Sequence, residues 1–337
     1  MYLFKYLLYP LSIIYFFVTF LKNYLYEINI LKSTSFDLPI IGIGNLSFGG
    51  TGKTPMSEYI IENFNKSFEL AFLSRGYKRS TNGFILASEN STVEQIGDEP
   101  FQILKKFKNI KVGVDVDRSN GVKKLIKEFP KIDGIILDDV FQHRSIDLKL
   151  SILLTTYRKP FYTDHIAPVG TLRESSSESK RADIIIVTKC PVDLKEESKI
   201  KIAQKIKLKN NQDLFFSSIH YDDKLLGRDQ IDIGQILQRK VLLITGIADS
   251  TQIVEHLKRK KIIFSHISFG DHHFYDRSDY ERISNEFKNY LILTTEKDFY
   301  KISKLGLKND IYYLRVKIKF LDSENRFKRI VERNLTN

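Results

Sequence analysis

Short apolar runs bounded by turn residues recur along the chain at 39–43, 70–74, 111–114, 134–138, 150–154 and 183–187. They are continuous and rich in Ile, Leu and Val, the pattern of strands buried on both faces. Helix-like segments lie between several of them, such as 56–61, 101–107 and 119–129. Strand and helix in alternation predict a parallel sheet covered on both sides. The scheme restarts near residue 240, with strands predicted at 241–246, 262–264 and 291–294 and helices at 250–260 and 279–288. The pattern therefore predicts a larger α/β domain over 27–220, a smaller α/β domain over 221–311, and a return strand with a C-terminal helix over 312–337.

The first 26 residues behave differently. From Tyr6 to Leu21 no residue is charged, aromatic side chains are frequent, and Lys5 and Lys22 flank the run. A spanning helix wants roughly 20 apolar residues, so this shorter run predicts a membrane-associating helix that either spans or lies in the interface with snorkelling lysines. No small-x-small cleavage site follows it. A net charge of +12 favours anionic partners, whether nucleic acid, membrane face or phosphorylated substrate, and does not choose among them. With a single cysteine, Cys190, the chain has neither an intrachain disulfide nor a zinc ribbon.

The chemistry begins after the first strand. Gly49, Gly50, Thr51, Gly52, Lys53 and Thr54 stand between a strand and a helix, the order of a phosphate-binding loop. Glycines there let backbone N–H groups turn toward phosphate, Lys53 reaches the terminal phosphates, and Thr54 offers a hydroxyl to Mg²⁺. The strict pattern G-x-x-x-x-G-K-[ST] has glycine where this chain has Ser47. Asp138 and Asp139 follow the apolar run 135–137, at the ligand-facing edge of such a sheet, where an acidic residue holds the metal. Gln142 and His143 follow closely, with hydrogen bonds to loop backbone as their alternative role. Asp98 opens a helix with Pro100 in its first turn, and alone it reads as a cap as readily as a base. Arg75 and Tyr77 follow the second strand, and Arg173, His272 and His273 complete the concentrated polar positions. Adjacent histidines point apart on a strand, so Asp271-His272-His273 is weak as a metal site.

In order, these segments resemble the tetraacyldisaccharide 4'-kinase family of lipid A synthesis. The resemblance runs from Gly44-Asn45-Leu46 through the glycine loop, Ser74-Arg75-Gly76-Tyr77, Gly97-Asp98-Glu99-Pro100, Asp138-Asp139 with Phe141-Gln142-His143, Leu172-Arg173-Glu174, Asp271-His272-His273 and Thr295-Glu296-Lys297-Asp298. It implies a P-loop NTPase-like parallel sheet domain with a second, smaller α/β domain. It also implies an ATP- and Mg²⁺-dependent kinase acting on the 4'-hydroxyl of a tetraacylated glucosamine disaccharide 1-phosphate, at the cytoplasmic face of the bacterial inner membrane. By the same resemblance Asp98 is the base, His272 its partner with His273 as second choice, Arg173 a phosphate-neutralising residue, and Thr54, Asp138 and Asp139 the metal side. Arg75, Tyr77, Gln142 and His143 fall on the substrate or nucleotide side. Two positions depart from the family pattern: Val140 stands where glycine is usual, and Val169-Gly170-Thr171 replaces a Gly-Pro pattern. A membrane-tethered nucleotide switch is the rival reading, although 188–193 lacks the Asn-Lys-x-Asp guanine signature. A nucleic-acid ATPase leaves the apolar N-terminus unexplained, so no nucleic-acid partner is expected.

Overall fold

The computed structural model describes residues 2–336; Met1 and Asn337, the ends of the predicted first and last segments, lie outside the described residues. The chain forms two compact units, Met1–Ile219 with Ile318–Asn337, and His220–Lys317.

The first unit opens with helix α1 (Tyr2–Glu27), followed by β1 (Ile40–Asn45), α2 (Lys53–Phe64), β2 (Leu70–Ser74) and β3 (Ile85–Leu86). Next come α3 (Val93–Ile96), α4 (Asp98–Lys106), β4 (Lys111–Val114), α5 (Arg118–Glu128), β5 (Gly134–Asp138), β6 (Leu150–Thr156), β7 (Ile184–Thr188) and α6 (Glu196–Ile206). Strand β8 (Asp213–Gly227) starts in this unit and continues into the second. Within the first unit the strand order is β8-β7-β6-β1-β5-β2-β4-β3. Along this order the pairings are parallel except that of short β3 with β4. Parallel strands place all their carboxyl ends on one edge, and that is where the glycine loop and Asp138 emerge.

The continuous apolar runs have a direct cause. Ile41, Phe72 and Ile136 enter a core with Met56 and Ile60 of α2, while their neighbours Ile40, Ala71 and Ile135 enter another with Val122 and Leu125 of α5. Successive residues of a strand face opposite sides, so a doubly covered strand must be apolar at every position.

The second unit contains β9 (Gln230–Asp232), antiparallel to the end of β8, then β10 (Val241–Thr245), α7 (Thr251–Arg259), β11 (Phe264–Ser268), α8 (Arg277–Glu286), β12 (Leu291–Thr295) and α9 (Glu296–Ile302). Strand β13 (Ile311–Phe320) returns to the first unit, where α10 (Glu324–Thr336) buries Phe327, Val331 and Leu335. In this unit β11, β10, β12 and β13 pair in parallel, in that order. The strand predicted at 262–264 begins instead at Phe264. Lys261 takes a left-handed φ of 59° and Ile262 N–H returns to the Leu257 carbonyl, so these residues finish the exit from α7. The stretch 221–227 is the second half of the long β8.

Helix α1 is longer than the uncharged run that predicted it, and Pro10 sits inside it. Its apolar face is turned outward: Leu7, Leu11, Ile14, Phe17, Val18 and Leu21 are exposed, whereas Ser12 and Asn23 are buried. Ser12 and Asn23 lie eleven residues apart, three turns, and so share one face. The Ser12 hydroxyl donates to the Ile166 carbonyl at 3.1 Å, and Asn23 Nδ2 donates to Glu174 at 3.0 Å. The helix thus docks through a polar seam and leaves these apolar residues exposed.

Candidate active site

Two glycines shape the phosphate loop. Gly49 and Gly52 adopt φ of 113° and 93°, values open to glycine and costly for other residues. Gly52 is the N-cap of α2 and supplies no capping side chain. The first backbone donors of α2 are therefore presented as an anion site on the positive end of a helix. Asn45, wholly buried at the end of β1, donates to Thr51 Oγ1 at 2.9 Å, and Thr188 from β7 donates to the Thr51 carbonyl at 2.8 Å. Ser47 is accounted for by its pairing. It forms a bridge with Leu172 and has no positive φ, so glycine is not required there. That bridge, extended by Phe48 N–H to Thr171 O and Arg173 N–H to Leu46 O, both at 2.7 Å, carries Arg173 to the loop.

Lys53 and Arg173 converge on one carboxylate. Lys53 Nζ lies 3.4 Å from Asp139 Oδ1, and Arg173 donates to both Asp139 oxygens at 3.0 Å and to Gln142 Oε1 at 3.3 Å. Gln142 in turn donates to the Asn45 carbonyl at 2.9 Å, so it serves both loop backbone and Arg173. Burial works against the Asp139 charge, but Lys53 and Arg173 outweigh it and hold the carboxyl below its usual range. Val140 needs no glycine because the left-handed residue of this turn is Asp139, with φ of 50°, and aspartate tolerates that region. Room for Val140 comes from β1: a Cβ on Gly42 would lie 2.7 Å from Val140 Cγ1, and one on Gly44 would lie 2.5 Å from Phe141 Cβ.

Asp138 differs from its neighbour. It is buried at the end of β5, and its Oδ1 has no hydrogen-bond partner. Burial raises its pKa from 3.8 to about 7, Lys53 and Arg118 pull against that, and Asp139 and Glu99 add to it. The sign follows from proton binding. Between about pH 4 and 7 the native state keeps a proton that the unfolded chain has released, so stability falls as pH rises through this window. Asp138→Asn is therefore expected to raise Tm by roughly 5 °C at pH 8 in chelator without nucleotide, and to change it little at pH 4. Thermal unfolding followed by circular dichroism at the two pH values checks this; an equal shift at both would assign the effect to packing.

Asp98 is the first residue of α4, and its cap is Gly97, with φ of 91°. The capping role open to Asp98 thus falls to its neighbour, and the carboxylate sits on a positive helix end, 7% exposed. A Cβ on Gly97 would come within 3.0 Å of the Gly76 backbone. The pair of glycines packs the Asp98 turn against the turn carrying Arg75 and the exposed Tyr77. His143 is pushed down to about 4 by burial, with Arg118, Lys22 and Arg75 adding to the effect, so it is neutral at pH 7. His272 and His273 belong to the second unit. His273 Nε2 is 2.8 Å from Asp279 Oδ2 and its ring stacks on Phe269, while His272 Nε2 is 2.9 Å from Lys297 Nζ.

Arg118, which belongs to none of the motifs, and Glu99 and Glu174, which stand in two of them without an assigned role, also act in this neighbourhood. Arg118, 2% exposed, is lowered to about 10 by burial and interacts with Asp138 and Asp139. Its signal was Asp115-x-Asp117-Arg118 just after β4, where Asp117 caps α5 by accepting from Asn120 N–H. Glu99 acts on Asp138, and buried Glu174 joins Arg181 to Asn23 of α1. Among the described residues no group of three His, Cys, Asp or Glu is placed to hold a metal ion. Thr54, Asp138 and Asp139 supply hard oxygen donors, and the orphaned Asp138 Oδ1 fits an ion that takes its remaining ligands from phosphates and water.

The family model for tetraacyldisaccharide-1-P 4'-kinase matches residues 4–336. The tetraacyldisaccharide 4'-kinase of Flavobacterium johnsoniae is 43% identical over 322 residues, covering 95% of this chain and 94% of that protein. The Bacteroides thetaiotaomicron protein of the same description is 40% identical over 340 residues, covering 94% and 89%. The crystal structure of LpxK from Aquifex aeolicus in complex with ATP is similar with a TM-score of 0.78 and 27% identity, over 98% of this chain and 99% of that one. The chain, matched from near its first residue to near its last, belongs to the tetraacyldisaccharide-1-P 4'-kinase family.

Proposed function

We propose that the protein transfers the γ-phosphoryl group of ATP to the 4'-hydroxyl of a tetraacylated glucosamine disaccharide 1-phosphate. The observation that carries this reading is the convergence of Lys53 and Arg173 on Asp139 beside the uncapped start of α2. Two cations held in place by a carboxylate are prepared to neutralise a transferring phosphoryl group. In the reaction the sugar oxygen forms a bond to the γ-phosphorus, the bond from that phosphorus to the β–γ bridging oxygen breaks, and ADP leaves. Asp98 takes the hydroxyl proton, and His272 is retained as a further proposed catalytic residue. Thr54, Asp138 and Asp139 are the residues that would hold Mg²⁺, which when bound neutralises charge on the β- and γ-phosphates. Arg75, Tyr77, Gln142 and His143 stay on the substrate or nucleotide side of this proposal, and His273 is a further substrate-binding candidate.

The lipid acceptor also gives α1 a role. The segment Leu7–Glu27 is long and apolar enough by composition to cross a membrane, and at 1.5 Å per residue its 21 residues extend about 31 Å, close to the thickness of a bilayer core. We propose that this helix holds the protein at the inner membrane with the nucleotide site on the cytoplasmic side. Phe17→Glu with Leu21→Glu, two changes on the exposed face, is expected to lower partitioning into phospholipid vesicles by about tenfold or more. Flotation with vesicles checks it, and undiminished binding would remove α1 as the anchor.

The function itself is tested by following label from γ-labelled ATP to the tetraacyldisaccharide 1-phosphate in detergent micelles with Mg²⁺. Labelled lipid is the expected product. ATP turnover without labelled lipid would point to another acceptor or to a nucleotide switch.

A further inference from the structure

The C-terminal end of α1 is bonded to the segment that follows Asp139. Lys22 Nζ donates to the Gln142 carbonyl at 3.2 Å, and Arg144 Nη1 donates to the Asn23 carbonyl at 2.9 Å, with its guanidinium 5.3 Å from the Tyr26 ring. The Asn23 side chain reaches further, because its Nδ2 shares the Glu174 Oε2 atom with Arg181 Nη2. Arg181 has two other partners: Nε donates to Glu178 Oε2 at 2.7 Å and Nη1 donates to the Phe141 carbonyl at 2.9 Å. Its guanidinium also lies 4.3 Å from the centre of the Phe141 ring. Phe141 is 3% exposed and packs with Leu46 and Leu172, close against the Gly44 backbone. It stands between Asp139 and Gln142, the two residues that accept from Arg173.

We infer that Arg181 is a positioning residue that ties the turn from Asp139 to Gln142 to helix α1 through Glu174. A guanidinium carries five N–H donors in a fixed fork, so the carboxylates that hold it also decide where its remaining donor points. Glu174, 4% exposed, is a buried carboxylate whose charge Arg181 balances, and Asn23 fixes the same oxygen from the helix side. Arg181 is thus set by α1 at one end and sets the Phe141 carbonyl at the other. With Phe141 in place, Asp139 and Gln142 meet Arg173 beside the phosphate loop; displaced, they carry Arg173 away from the geometry that a phosphoryl group needs. The docking of α1 on the body therefore supports the nucleotide site as well as the anchor. The inference rests on the kinase reading of that site.

The test compares full-length wild type with Asn23→Ala, Arg181→Lys and the double variant in detergent micelles. Lysine keeps a positive charge for Glu174 and lacks the fork that serves Glu178, Glu174 and Phe141 together. Arg181→Lys is expected to lower kcat for lipid labelling by about ten- to a hundredfold, the cost of a small misplacement of reacting groups, with KM for ATP little changed. Asn23→Ala should act in the same direction, and the double variant should lose no more than Arg181→Lys alone, because both act through one carboxylate. In a parallel set para-fluorophenylalanine takes the place of Phe141, and its fluorine resonance reads the turn without turnover; Asn23→Ala is expected to move it. Thermal unfolding and vesicle flotation of each variant keep lost folding and lost anchoring apart from lost positioning. Where Arg181→Lys lowers Tm, Asn23→Ala, which leaves the ion pair intact, decides. An unmoved fluorine resonance in Asn23→Ala, an unchanged kcat in Arg181→Lys, or losses that simply add in the double variant would overturn the inference. A wild type that labels no lipid would overturn the kinase reading, a failure the fluorine resonance keeps separate from that of the coupling.

Discussion

Replacing Asp98 by asparagine is expected to lower lipid phosphorylation by roughly 10²–10⁴-fold, the range for losing a general base, with KM for ATP little changed. Asparagine keeps the size and one acceptor oxygen of the side chain and has no capacity to take a proton at neutral pH. The Gly97–Gly76 contact that places the turn involves backbone only, so the substitution leaves the position of the residue intact. The change removes a negative charge from the start of α4, which costs about 0.3–1 kcal/mol of stability, far less than would unfold a unit of this size. Initial rates with γ-labelled ATP, set beside nucleotide binding by the same preparation, separate the two effects. Undiminished lipid labelling would remove Asp98 as the base, and loss of ATP binding in parallel with turnover would make it part of the nucleotide site.

Much of this architecture could be read from the sequence because the physics that sets it is local. Strands covered on both faces must be apolar throughout, so β1, β2, β5, β6 and β7 announced themselves. The glycine loop was equally plain, since Gly49 and Gly52 take backbone angles that other residues avoid. Ser47 and Val140, two of the departures from the expected patterns, stand where no positive φ is needed.

What the sequence hid depends on partners far along the chain. The polar seam of α1 consists of Ser12 and Asn23, whose partners Ile166 and Glu174 are 154 and 151 residues away. Nothing in the spacing of an apolar helix reveals that its few polar residues face the protein. Arg118 stayed hidden for a similar reason: an arginine at the start of a helix reads as a surface charge until the strands beside it bury it. The contact between His272 and Lys297 spans 25 residues and depends on a left-handed turn at a histidine, which no local rule predicts.

Lys53→Met is expected to reduce kcat/KM for ATP by about 10²–10³-fold, the cost of removing a preorganised charge that stabilises the transition state. Methionine retains most of the aliphatic stem, so the start of α2 and its backbone donors persist, and residual nucleotide binding should remain. The effect extends beyond the missing ammonium. Lys53 is the main influence opposing burial at Asp138 and is one of two cations holding Asp139 charged. Without it Asp138 should hold its proton to higher pH. An aspartic acid that keeps its proton is a poorer metal ligand, because carboxylates bind Mg²⁺ in their ionised form. The variant should therefore need more Mg²⁺ than the wild type, and part of its lost activity should return as pH rises from 7 to 9. Lipid labelling measured across Mg²⁺ concentration at the two pH values checks both effects. A loss independent of pH and Mg²⁺ would confine Lys53 to direct contact with phosphate, whereas undiminished activity would remove the glycine loop from the nucleotide site.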